Sequence, residues 1–155
     1  MKKFLRAVRL DNSDDQIYQA TGTVAEGEWL VSGGYAVCDI AHGYRCNPRC
    51  HCDDSFLHLT SGARCTIAEV AEIEDAVVEE LIDGLTQHLI LNWKAPNLEA
   101  ARTVAEEEVR YTLDLCEPFS NDVWITVKRS PNPEGKGIDE KYDIYNRLMI
   151  GSHKI

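Results

Sequence analysis

Along the first seventy residues, apolar positions come in short runs divided by turn-favouring residues, a pattern that predicts strands. Phe4 to Leu10 (FLRAVRL) ends at DNSDD, whose short polar side chains favour turns. EWLVSGGYAVCDI sets Trp29, Val31, Tyr35 and Val37 around Gly33 and Gly34, a glycine pair that predicts a bulge or bend within a strand. FLHL and CTIAEVAEI are two further strand candidates, the second alternating at Ile67, Glu69 and Ala71.

The period then changes. From Ile73 to Trp93, apolar residues at Val77, Val78, Leu81, Ile82, Leu85 and Leu89 recur with helical spacing, and Glu74 and Asp75 lie where a helix N-terminus favours negative charge. Pro96 breaks this helix. Asn97 is a natural N-cap for a second one running to Cys116, with an inward stripe of Leu98, Ala101, Ala105, Val109, Leu113 and Cys116. Its outer face is expected to carry Glu106, Glu107 and Arg110, with Glu106 and Arg110 in the favourable order for an ion pair.

After EPFSND the period returns to two. VWITVKR is expected to bury Val123, Ile125 and Val127, and KYDIYNRL to pair with it through Tyr142, Ile144 and Leu148 across the Pro- and Gly-rich loop SPNPEGKGIDE. Strands, helix, helix, strands is an α+β order, so the expected fold is an antiparallel sheet with two helices packed on one face. No internal repeat or linker divides residues 1–155, which predicts a single domain with a Cys-rich loop at about 38–65.

A formal charge of −10 argues against nucleic acid and acidic lipid surfaces as partners, because phosphate binding draws on clustered Lys and Arg. Arg6 and Arg9 interrupt the apolar N-terminal stretch before it reaches signal-peptide length, and no run of about 18 apolar residues exists to span a membrane. The expected setting is cytoplasmic. Thiols stay reduced there, so six cysteines point to metal or redox chemistry before a disulfide framework.

Three of the six fall in CNPRCHC, as Cys46, Cys50 and Cys52, with Cys38 and His42 upstream and His58 and Cys65 downstream. In an extended segment Cys50 and Cys52 share one side while His51 faces away, and a turn at Asn47-Pro48 returns Cys46 to them. Tetrahedral zinc then needs one more ligand, from Cys38, His42 or Cys65. Arg45 and Arg49 offset the negative charge of several thiolates. The usual structural-zinc pattern is a pair of CxxC knuckles, and this chain has none, so an iron–sulfur cluster, a redox loop and inert buried thiols remain as alternatives. CxxxCxC is one residue short of the CxxxCxxC spacing of S-adenosylmethionine radical enzymes, and the chain is too small for their barrel.

Other residues give blander readings. Gly33-Gly34 has no phosphate-binding motif around it, and His88 sits on the apolar side of its helix as a core or edge histidine. Asp11, Asp14 and Asp15 lack the glycine and distal glutamate of a calcium loop and read as a solvated turn. Glu106 to Glu108 read as an exposed helix face, and Trp29, Trp93 and Trp124 as core anchors.

The stretches LRAVRLDNSDDQIY, GEWLVSGGY, FLHLTSGARCTIAEV, APNLEAARTVAEEEV with LCEP, and more loosely WITVKR, together cover most of the chain. They resemble a family of small proteobacterial proteins of unknown function. The resemblance implies a small α+β fold and a bacterial cytosolic setting, and carries over no activity. It also implies a cysteine at the position of Cys116, and an ordinary connection where this chain has CDIAHGYRCNPRCHCDDS. On that reading the cysteine cluster is an addition in this branch.

These features lead to an expected non-enzymatic accessory or interaction protein, with a zinc-organised loop that presents a fixed surface to a protein partner or larger complex. The alternative is a small redox protein or subunit with an iron–sulfur cluster on the same cysteines. A third reading is an enzyme with a pocket between sheet and helices.

Overall fold

The computed structural model describes residues 2–36, 51–134 and 137–146. Seven strands and two long helices follow the expected order: β1 (Lys2–Val8), a short α1 (Ser13–Ile17), β2 (Trp29–Val31), β3 (Phe56–His58), β4 (Arg64–Cys65), β5 (Ile67–Ile73), α2 (Asp75–Asn92), α3 (Leu98–Cys116), β6 (Val123–Pro131) and β7 (Ile138–Asn146). The strands form one antiparallel sheet in the order β4-β3-β2-β1-β5-β6-β7. β1 and β5 pair over seven residues, with Phe4 opposite Ala71 and Leu5 opposite Val70.

Alternation along β1 divides the interior in two. Phe4 belongs to a cluster with Val31, Leu57, Ile73 and the helix residues Val78, Ile82, Leu85, Ala105 and Val109. Leu5, one position on, joins Leu30, Phe56, Ala68, Val70, Ile125 and Cys116. Leu85 is fully buried, and removing one such side chain from water is worth about 2 kcal/mol. Asn97 caps α3 as its sequence predicts, its Oδ1 accepting from the Ala100 N–H at 2.8 Å.

The sheet curls. Arg129 of β6 donates to main-chain oxygens of Ser32, beside β2, and of Cys52 and Ser55, ahead of β3, although β1 and β5 separate β2 from β6 in the sheet. The curl brings the two ends of the Cys-rich stretch onto one buried cation.

Several expectations need correction. β2 stops at Val31, and Gly33 (φ +95°) turns the chain into a 3-10 turn at Gly34–Ala36, so the glycine pair ends the strand instead of bending it. Asp14 is buried, not solvated, because it accepts from the Thr66 hydroxyl at 2.7 Å and the Thr66 N–H at 3.3 Å. Glu108 is also buried: it lies three residues after Ala105 and four before Thr112, on the inward stripe. Glu106 pairs with Arg102 at 2.9 Å and not with Arg110, since Arg102 also reaches Asp83 across to α2 at 2.7 Å. Trp124 is buried, but Trp93 is 43% exposed at the end of α2. Leu98 is likewise exposed, at the first position of α3. The expected role of Leu148 lies outside the described residues.

No helix among the described residues is long and apolar enough to cross a membrane.

Candidate functional site

Cys38, His42, Cys46 and Cys50 lie outside the described residues. Cys52 and Cys65 are inside them and fully buried. The Cys52 thiol donates to the Ala36 oxygen at 3.4 Å, and the Arg64 guanidinium donates to its sulfur at 3.5 Å. A buried cation therefore sits against this sulfur, a setting that suits a thiolate ligand. Cys65 has different neighbours: its thiol lies 3.2 Å from the Ile67 oxygen and 3.9 Å from that of Val8. Burial pushes the Cys65 thiol up to about 12. Cys116 is buried at the far end of α3, and burial raises its thiol to about 12 as well.

A donor set emerges in the residues that flank Cys52 in the sequence. One ligand atom from each of His51, Asp53 and Asp54 lies within 4.8 Å of the others. His51 takes φ +53°, a left-handed conformation uncommon for a side chain of its size, so the chain leaves the extended form at this point. The imidazole stands edge-on to Tyr18 at 5.5 Å, with Nδ1 3.6 Å from Asp54 Oδ1. Burial and the neighbouring Asp53 hold the Asp54 carboxyl above its usual range, opposed by His51 and Lys128. Two close carboxylates and an imidazole form a ligand set for a divalent cation. The sequence signal was the run HCDD, which reads as polar loop until the turn after His51 gathers its side chains.

A buried clasp fixes both flanks of the Cys-rich stretch. Arg129 is inaccessible to solvent; Nη1 donates to the Cys52 and Ser55 oxygens at 3.0 Å each, and Nη2 to the Ser32 oxygen at 2.6 Å and hydroxyl at 3.0 Å. Its backbone N–H donates to the Asp53 oxygen, and its Nε is 3.7 Å from Glu140. From α3, Glu108 accepts the Gly33 N–H at 2.7 Å, and Thr112 accepts that of Ser32 at 3.2 Å. Burial raises the Glu108 carboxyl, while the Gly33 N–H and Arg129 pull it down. Tyr142 completes the network, its hydroxyl 2.7 Å from that of Ser32 and 2.6 Å from Glu140.

A groove of about 730 Å³ runs between α2, α3 and the start of β1, over Val78, Ile82, Val109 and Leu113. Its lining offers no thiol, hydroxyl or imidazole, and its Arg102 is held by Glu79, Asp83 and Glu106. The chemistry-bearing residues gather instead at the other flank, around Cys52.

The fold and site define a small α+β protein with a curled antiparallel sheet and a Cys-rich excursion whose flanks are tied to β6 and α3. Residues 1–150 match the model of the DUF6505 family of unknown function, and the chain belongs to that family. No curated protein and no solved structure matches it.

Proposed function

We propose that the chain is a non-enzymatic accessory or interaction protein whose Cys-rich loop is organised by one zinc ion. The ligands would be Cys46, Cys50 and Cys52, with a fourth from Cys38, His42 or Cys65. The observation that carries this reading is the convergence of His51, Asp53 and Asp54 at the end of that cysteine run, in the residues flanking Cys52, whose sulfur faces a buried guanidinium. The donor set, soft thiolates with an imidazole and carboxylates at hand, fits zinc.

The clasp supports a presenting role. A loop whose flanks are fixed by Arg129 and Glu108, and whose middle is fixed by a closed four-ligand ion, offers a rigid surface and leaves no coordination position for a substrate. A larger protein is the fitting partner. Replacing Cys50 with Ser should release zinc and lower the melting temperature; a variant that keeps both the metal content and the melting temperature of the parent removes the basis for the reading.

A further inference from the structure

β7 is the last strand of the sheet, and all nine of its residues pair with β6 on one side. Among the described residues no strand pairs with its other side. The direction of its backbone groups follows from the ladder. The Arg129 N–H donates to Asp53 and so points away from β7, whereas the Asn132 N–H donates to the Gly137 oxygen and so points toward it. Direction alternates along a strand, so the N–H and C=O groups of Ile138, Glu140, Tyr142 and Ile144 point outward from the open edge. A long open edge is a template for pairing with another strand.

We propose that β7 is a self-association edge, which pairs antiparallel with β7 of a second copy about a two-fold axis through Tyr142. Charge selects this register. Centred on Tyr142, Lys141 of each copy faces Asp143 of the other, and Glu140 faces Ile144. Centred on Lys141, the axis sets lysine against lysine and Asp139 against Asp143. Centres at Glu140 or Asp143 set a carboxylate directly against its own copy. Only the Tyr142 centre gives two opposite-charge pairs and no like-charge pair among these positions.

Geometry agrees with charge. Lys141 and Asp143 direct their backbone groups to β6, so across the axis they form non-hydrogen-bonded pairs, the kind whose side chains stand closest. They already share one exposed face, with Nζ 3.9 Å from Oδ1 within the chain. The Tyr142 and Glu140 side chains are held by Ser32 and Tyr111, so an incoming strand meets a preordered edge. The result is an isologous dimer with one continuous sheet.

The test is sedimentation equilibrium on the full chain over a wide concentration range. A dimer is expected. Lys141→Glu should weaken it by about tenfold or more, and the exchange Lys141→Glu with Asp143→Lys should restore it. Ile144→Pro removes one outward N–H without touching the β6 ladder and should also weaken the dimer, with circular dichroism to confirm folding. A monomer at every concentration, or a dimer indifferent to both Lys141→Glu and Ile144→Pro, overturns the proposal. An exchange variant that stays as weak as Lys141→Glu overturns the Tyr142 register.

Discussion

Arg129 Nη1 donates to the main-chain oxygen of Cys52 at 3.0 Å, across 77 residues of sequence. Through this bond, and those to Ser32 and Ser55, a strand near the C-terminus holds both flanks of a loop from the first half of the chain. The guanidinium is fully desolvated, its two amino groups bond to neutral oxygens and its Nε stands 3.7 Å from Glu140, so the fold depends on keeping these contacts.

Arg129→Ala should therefore lower the free energy of unfolding by about 3–5 kcal/mol, because it leaves several buried acceptors and Glu108 without their cation. Arg129→Lys should recover only part of this, since an ammonium cannot serve the same spread of acceptors. Urea denaturation measures both; a loss below about 1 kcal/mol for Arg129→Ala would show that the clasp is incidental.

Gly33 tests the other half of the clasp. Its φ is +95°, and a Cβ there would stand 3.1 Å from Leu57 Cβ, a tight contact with a fully buried neighbour. Gly27 has φ +83° but open space around a Cβ. Gly33→Ala should cost about 2–3 kcal/mol and Gly27→Ala about 1 kcal/mol, the difference reporting the clash and the disturbed Glu108 bond. Equal costs in paired melting curves would mean that backbone strain alone matters at Gly33.

His88 gives the chain a pH dependence of predictable sign. It is buried, the Trp93 indole N–H donates to its Nε2 at 3.2 Å, and burial holds its proton affinity below the ordinary value of 6.5. Above that value neither state is protonated, and no stability is gained or lost. As pH falls below it, the unfolded chain takes up a proton that the folded chain resists, so stability declines until the lower folded value is reached. His88→Gln should lessen the fall in melting temperature as pH drops below about 6.5. An unchanged slope contradicts this origin.

The elements were legible where one period dominates. α2, α3 and β5 lie within the stretches whose spacing predicts them, and Asn97 caps α3 as read; β6 and β7 fall where expected but run on to Pro131 and start at Ile138, inside the stretch expected to be loop. The sequence misled where a polar residue occupies an inward position. Glu108 and Asp14 belong to acidic runs that look solvated, and only tertiary partners, the Gly33 N–H and Thr66, make their burial tolerable. The curl was not legible at all. It rests on Arg129 meeting Ser32 and Cys52, a pairing between distant segments that no local pattern encodes. For the site, the cysteine run was visible as a motif, but His51, Asp53 and Asp54 become a donor set only through the turn at His51.

The proposed role stands or falls on a metal ion in the Cys-rich loop. Elemental analysis with a visible absorption spectrum, on protein purified without oxygen or chelator, tests it most directly. About one zinc per chain and no visible band are expected. Iron with sulfide and a band that bleaches on reduction would replace the accessory reading with a small electron carrier. A protein free of every metal would rule out a metal-organised loop.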